Sequence, residues 1–375
     1  MDVYQKLDLL AGDSQYDMAC ACATSDKERR HRGLDGRWLY PVPLAAGGYG
    51  ILLKTLVTNA CANDCRYCPL RATSNARRCS LTPDETASAF MDINRRRQLI
   101  GLFLTSGVCG TSDQAMERLT ATASILRKRH NYRGYIHLKI IPGASTAAID
   151  EALRLSTCVS LNLETPGAAH FKKLSATKDY LRDIIAPARY IAEQTSRGMP
   201  RSRVRCSTQF IVGASDESDR EIVRYMGGVY NRLRFDRVYF SAYQSGVGEP
   251  NLQGGCETDE TRHARLTREH RLYQVDFLMR RYGFASTEME YGAGGNLDLS
   301  LDPKEVWAGR HPEFFPVRVN TAERDSLLRV PGLGPTAVSR ILEARKSRRV
   351  RDLGGLRLAR KLTAKAEAYL DFSTG

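Results

Sequence analysis

From about Gly50 to Phe284 the chain alternates short apolar runs with longer amphipathic ones. The apolar runs are ILLKTLVT (51–58), IGLFLTSG (100–107), YIHLKII (135–141), CVSLNLE (158–164), CSTQFIVG (206–213) and RVYFSAY (237–243), and each is a strand candidate. Helical patterns lie between them at about 82–97, 112–129, 145–155, 178–196 and 216–231, and a sixth at about 262–282 follows the last strand. TPDE supplies a capping box: Thr82 caps, Pro83 takes the first helical position and Glu85 the third. Six alternations predict parallel strands joined by right-handed crossovers. The expected fold class is α/β, a partial (β/α)6 barrel of the TIM type with functional residues at the carboxyl ends of its strands. A doubly wound sheet satisfies the same pattern.

The flanks read differently. Residues 1–45 mix Gly, Asp and Ser irregularly, carry Cys20 and Cys22, and read as an N-terminal extension on a barrel over 46–290. The segment 291–317, beginning YGAGGNLDL, is a Gly-rich connection; no Lys-Ser/Thr follows its glycines, so it lacks a phosphate-loop signature. Pro316 opens a compact helical tail over 318–375.

Composition adds a bias in charge. The 375 residues hold 56 Lys+Arg against 42 Asp+Glu, a net of +14 that suggests a polyanionic partner. The last sixth, Pro316 to Gly375, has 13 basic and 6 acidic residues, net +7, half of the whole excess. No apolar run approaches the roughly 20 residues of a membrane span, and the start has early acids and no apolar h-region. No membrane partner and a cytoplasmic location are therefore expected. Ten mostly scattered cysteines do not make a disulfide framework in a chain of this length.

Three cysteines are not scattered. CANDCRYC places Cys61, Cys65 and Cys68 directly after the first strand of the alternation, on a loop where a β/α barrel carries its chemistry. An iron–sulfur cube has four irons, and three protein thiolates leave one of them open. An open metal position is where a substrate or cofactor binds, whereas a saturated site is structural. Tyr67, just before the last cysteine, can shield one side. The competing reading is a zinc site that borrows Cys79 or His31.

This C-x3-C-x2-C, with an aromatic before its last cysteine, resembles the motif of the radical S-adenosylmethionine superfamily. The resemblance implies a [4Fe-4S] cluster on Cys61, Cys65 and Cys68, whose open iron chelates S-adenosylmethionine. A reduced flavodoxin or ferredoxin then supplies the electron that cleaves the cofactor to methionine and a 5′-deoxyadenosyl radical. By the same resemblance Ser106 and Gly107, in LTSG, stand where the superfamily's glycine-rich edge meets the methionyl amino group. Its usual form is Gly-Gly-Glu, so only backbone contact carries over. Glu164 would bind a ribose hydroxyl or the amino group, and Gly213 would let backbone approach the adenine. His137 and Lys139 share one side of their strand and are candidates to line the cavity. No catalytic residue is assigned.

The tail has its own motif. In LLRVPGLGPTAVSRIL (327–342), Pro331 stops an apolar segment, Gly332-Leu333-Gly334 make a tight turn, and a helix starts with Pro335 in its first turn. Glycines let backbone approach closely, and the new helix offers unpaired N–H groups, a phosphate site that ignores sequence. The stretch resembles the helix-hairpin-helix DNA-binding motif, with Leu333 as hairpin hydrophobe and Ala337 and Ile341 as helix-packing residues. A small all-α domain is implied. Thr336, Arg340, Arg345, Lys346, Arg348 and Arg349 are candidates to reach a nucleic-acid backbone. The two halves together resemble a group of radical S-adenosylmethionine proteins assigned to DNA modification or repair, associated with a uracil-DNA-glycosylase-like partner. The implied function is modification or repair of DNA. Radical chemistry on tRNA or a small molecule, and a non-catalytic DNA-binding iron–sulfur protein, remain the alternatives.

Overall fold

A computed structural model of the chain describes residues 1–14, 39–43, 48–249, 252, 259–356 and 360–373. Cys20, Cys22 and His31 lie outside the described residues. The chain divides into two compact units, Met1–Glu217 with Gly228–Glu269, and Ser218–Gly227 with His270–Gly375.

The first unit is built on a seven-stranded sheet: β1 (Leu39–Pro43), β2 (Tyr49–Leu56), β3 (Gly101–Thr105), β4 (Tyr135–Lys139), β5 (Cys158–Ser160), β6 (Arg205–Val212) and β7 (Arg237–Ala242). The strands stand in chain order, β1 to β7. β1 pairs antiparallel with β2, and each later pair is parallel. A doubly wound sheet reverses its strand order at a switch point. This one never reverses, which decides for the barrel-type layout, left open at β1 and β7. All six expected strands are present.

The helices follow the same reading. They are α1 (Val3–Asp13), α2 (Pro83–Arg97), α3 (Ser112–Lys128), α4 (Thr146–Leu155), α5 (Ala168–Leu174), α6 (Ala186–Gln194), α7 (Asp219–Gly228) and α8 (Asp259–Arg281). Thr82 accepts from the Glu85 N–H and Glu85 reaches back, the capping box read from the sequence. Pro187 cannot donate to a carbonyl one turn back, and the chain takes a wider π-helical turn over Tyr180–Ile185 before α6. Phe90, Leu53, Leu102, Leu104, Phe210 and Phe240 are fully buried between helices and sheet.

Two elements correct the expectation of an irregular N-terminal extension. α1 is capped by Asp2 with Gln5 and buries Leu7, Leu10 and Ala11. β1 carries Pro41 and Pro43, which an edge strand tolerates and an interior one does not.

The second unit takes α7 up to Gly227 and α8 from His270 on, and adds α9 (Pro303–Arg310), α10 (Arg324–Arg329), α11 (Pro335–Ser347) and α12 (Arg360–Glu367). Its tail is not all-α: β8 (Val317–Arg318) and β9 (Leu370–Asp371) form a short parallel ladder. Val319, Leu327, Val330, Leu333, Val338, Ile341 and Leu353 share a core of their own. Lys304 is only 7% exposed and donates to the Leu333 carbonyl at 2.5 Å. Burial pushes its pKa down to about 7. Between about pH 7 and the ordinary lysine value of about 10.4, the unfolded chain therefore holds a proton the folded chain has lost, and stability rises with pH. Urea midpoints of the full chain should climb through that window, and Lys304→Met should flatten the climb.

Candidate active site

The loop after β2 is tied down before any cysteine is considered. Asn59 is fully buried, and its amide donates to Asp13 and to the Arg77 carbonyl at 2.7 Å each while accepting the Cys79 N–H. The Gly107 N–H reaches the Thr58 carbonyl, and the Ala62 N–H reaches the Val108 carbonyl, at 2.7 Å each. A Cβ on Gly107 would lie 2.4 Å from the Ala60 carbonyl oxygen, so only glycine allows this approach. Arg78 donates to the carbonyls of Asn59, Leu70, Arg71 and Ser74 and holds the far end of the loop.

Asp64, inside the motif, accepts from the hydroxyls of Ser175 and Thr177 and from the N–H groups of Ala176 and Thr177. Burial opposes its charge, but these bonds outweigh burial and hold its pKa at about 2. A carboxyl depressed in this way stabilises the fold above its ordinary value and loses that contribution as pH falls through the folded value. Asp64→Ala should cost about 2 kcal/mol, the scale of charge-assisted hydrogen bonds. In thermal melts the gap to the wild type should hold above about pH 4 and shrink toward pH 2.

Cys61, Cys65 and Cys68 line one cavity of about 190 Å³. Each sulfur accepts a hydrogen bond, Cys61 from the Val108 N–H at 3.4 Å, Cys68 from the Leu70 N–H at 3.4 Å and Cys65 from the Lys178 ammonium at 2.9 Å. Burial pushes the Cys68 thiol up to about 12, with the Cys65 charge adding to it, and burial pushes Cys65 up against the opposing pull of Lys178. Burial also works against the charge on Lys178, but Cys65, Glu164 and Cys61 outweigh it and raise its pKa. Lys178 was not found from the sequence; it sits between two helical stretches and belongs to no motif.

Tyr67 donates its hydroxyl to Glu164 at 2.9 Å, and burial holds that phenol well above its ordinary pKa. Glu164 has a left-handed backbone, φ 63°, and is 8% exposed. Both residues line the cavity, as do Ser106, Gly107 and Lys139. His137 is occupied elsewhere, sharing a hydrogen bond with Ser160 at 2.9 Å and packing edge-on against Phe103. Gly213 is not among the lining residues; its N–H donates to Glu217 at 2.6 Å and its φ of 82° makes a turn. Among the described residues no three Cys, His, Asp or Glu side chains stand close enough to hold a single metal ion. Thiolates that each take a different iron of a cube need not converge on one point.

In the second unit, Gly332 has φ 85°, and a Cβ there would meet the Leu362 carbonyl oxygen at 2.5 Å. Its glycine is thus required by packing within the unit, whatever else the turn binds. Gly334 caps α11 without a side chain. Leu333 and Ile341 are buried, and Ala337 packs against the same core. Arg345 is turned inward and donates to the carbonyls of Val319 and Ala322. Thr336, Arg340, Lys346, Arg348 and Arg349 are exposed.

No family model and no curated protein matches the sequence. Solved structures are similar to it at low identity. Methylornithine synthase (PylB) is 15% identical with a TM-score of 0.47, over 59% of this chain and 61% of its own. A radical SAM methyltransferase from Sphaerobacter thermophilus is 15% identical with a TM-score of 0.41, over 63% and 74%. The FeFe-hydrogenase maturase HydG from Carboxydothermus hydrogenoformans is 14% identical with a TM-score of 0.44, over 85% and 76%. The chain spans 61% of the length of PylB and 49% of a second HydG structure.

Proposed function

We propose that this protein is a radical S-adenosylmethionine enzyme with a [4Fe-4S] cluster, and that it modifies or repairs nucleic acid, DNA before RNA. The observation that carries the reading is the loop at the carboxyl end of β2, which presents three thiols to one cavity. The donor set fits such a cluster. Three thiols fill three of its four irons, burial alone would keep the Cys68 thiol protonated, and a bound cation is what deprotonates a coordinating thiol. When bound, the cluster with S-adenosylmethionine supplies one-electron cleavage of the sulfonium and a hydrogen-abstracting deoxyadenosyl radical.

The chain's own residues do the rest. Asp64 and Asn59 fix the loop on which the thiols stand. Lys178 donates to the Cys65 sulfur, a contact that favours its thiolate. Glu164, oriented by Tyr67, offers a carboxylate to a hydroxyl or ammonium in the cavity. Leu56, Val108, Ile140 and Ile141 give the cavity apolar walls that keep water from a reactive intermediate. The nucleic-acid part of the reading is supported by the +7 charge of the tail and by the exposed cations at the carboxyl end of α11 and just beyond it, Lys346, Arg348 and Arg349. A reduced flavodoxin or ferredoxin completes the system as electron donor, and a uracil-DNA-glycosylase-like protein is the proposed partner.

The test is anaerobic incubation of iron-reconstituted protein with dithionite, S-adenosylmethionine and a mixture of DNA and RNA oligonucleotides, followed by mass spectrometry. Deoxyadenosine formation with a mass change in DNA is the expected result. Deoxyadenosine with changed RNA only would move the substrate. No deoxyadenosine would end the reading.

A further inference from the structure

β3 to β7 run parallel, so the five turns that lead into them stand at one edge of the sheet, while the cysteine cavity lies at the other. Counted from the last helical turn to the first residue of each strand, these segments are 94–101, 125–135, 152–158, 191–205 and 230–237. They hold 15 basic and 2 acidic residues, a net of +13 against +14 for the whole chain. The loops around the cysteines at the carboxyl edge, 56–86, 105–115, 139–149 and 160–183, hold 9 basic and 7 acidic residues. Positive charge in the first unit is gathered at the edge away from the cavity.

Helix dipoles explain part of this. A cation in a helix's last turn meets the negative end of the dipole, which accounts for Arg95, Arg96 and Arg97 in α2, Arg127 and Lys128 in α3 and Arg154 in α4. α6 has no basic residue in its last turn, yet Arg197, Arg201, Arg203 and Arg205 follow it. Arg133, Arg197, Arg203, Arg232 and Arg234 are exposed, and among the described residues their side chains make no hydrogen bond or ion pair. Glu151 in α4 shows that neighbouring turns share one surface. Its carboxyl is held below its ordinary range by Arg154 first, and also by the charges of Lys128 from the end of α3 and Arg201 from the turn after α6. Like charges on one face repel, and a polyanion relieves the repulsion as it displaces counterions.

The spread of the charge selects the polyanion. From β3 to β7 is four strand spacings, about 19 Å along the sheet. Duplex nucleic acid carries one charge per about 1.7 Å of its axis, so roughly ten phosphates lie along that width. A small anion needs donors that converge on one point, and these are strung along an edge. An acidic electron donor docks beside the cluster it reduces, and this face stands a strand's length away. Of the 15 basic residues all but Lys128 are arginine, whose planar fork takes two phosphate oxygens at once.

We propose that the five turns leading into β3 to β7 form a second nucleic-acid surface, which holds the phosphate backbone of a duplex at the edge of the sheet opposite the cysteine cavity. The proposal takes its partner from the nucleic-acid reading above and depends on neither the tail nor the cluster. A duplex held there keeps the protein on the polymer without reading sequence. The carboxyl edge stays free for the stretch that reacts.

The experiment compares the full chain with a variant carrying Arg133→Gln, Arg197→Gln, Arg203→Gln and Arg232→Gln, its tail intact. Fluorescence anisotropy over a salt series follows labelled duplex DNA, duplex RNA of the same sequence and poly-L-glutamate. Melting temperatures should agree, because the four side chains bond to nothing described in the fold. The variant should bind duplex at least about tenfold more weakly at low salt, and its log–log salt slope should fall by about 0.9 for each phosphate no longer neutralised. Lysine at the same four positions should restore most of the affinity, and failure to restore it overturns the charge argument. Weakening seen with duplex RNA alone supports the surface and moves the polymer from DNA to RNA. Unchanged affinity and slope in the glutamine variant overturn the surface and leave the nucleic-acid reading on the tail. Poly-L-glutamate bound as tightly as either duplex overturns it in favour of an acidic protein. A wild type that binds neither duplex overturns the surface and the nucleic-acid reading together.

Discussion

Cys65→Ser should empty the protein of iron and abolish cleavage of S-adenosylmethionine. Cys65 is the most buried of the three motif residues, at 7% exposure, and among the described residues its sulfur is the one that accepts from a cation, the Lys178 ammonium at 2.9 Å. A serine oxygen fits the same space and still accepts from Lys178, so the fold should survive. It is a hard alcohol in place of a soft thiolate, and iron–sulfur clusters are held by thiolates. Anaerobically reconstituted wild type should carry about four irons per chain, and the variant close to none. The control is Cys79→Ser. Cys79 lies outside the cavity lining, and among the described residues its thiol makes only a long contact of 3.9 Å to the Lys6 carbonyl. Its replacement should leave both iron and cleavage at wild-type levels. Zinc bound in place of iron by the wild type, or iron lost equally from Cys79→Ser, would restore the zinc reading in which Cys79 is the fourth ligand.

The scaffold of the first unit was legible because its signals are local and repeated. Six apolar runs became six parallel strands, and the box at Thr82 caps α2 as written. The choice between a barrel-type and a doubly wound layout was not legible, because it depends on which strands become neighbours and not on any one segment. β1 was hidden by its two prolines, which an edge position excuses. α1 was hidden by a Gly-, Asp- and Ser-rich context, although Asp2 and Gln5 form the same box that revealed α2. The site divides similarly. The cysteines announce themselves by spacing, whereas Lys178 meets Cys65 only through the fold and has no spacing to read. In the tail, glycine at 332 reads as a backbone approach to phosphate, yet the Leu362 carbonyl already demands it. Both demands select the same residue.

That double demand decides how the tail must be tested. Gly332→Val would force a side chain into the Leu362 backbone, and Arg345→Ala would strip the carbonyls of Val319 and Ala322, so either variant would confuse folding with binding. Lys346, Arg348 and Arg349 are exposed at the end of α11 and just beyond it. Lys346 pairs with Glu343 at 2.7 Å on the surface, and Arg349 donates to the Phe372 carbonyl at 2.8 Å. Exposed pairs of this kind contribute little to stability. Reversing all three charges to glutamate should therefore leave the melting temperature nearly unchanged. Duplex DNA binding should fall by about two orders of magnitude at low salt, because counterion release on phosphate neutralisation dominates such affinity. Every phosphate that is no longer neutralised should also flatten the log–log salt dependence by about 0.9. The weakening should be the same on unrelated duplex sequences, since interactions with the phosphate backbone position a protein without reading bases. Fluorescence anisotropy across a salt series, on wild type and triple variant, measures both quantities. Binding and slope unchanged in the triple variant would remove the tail from the nucleic-acid interface and leave the first unit as the remaining place where nucleic acid can bind.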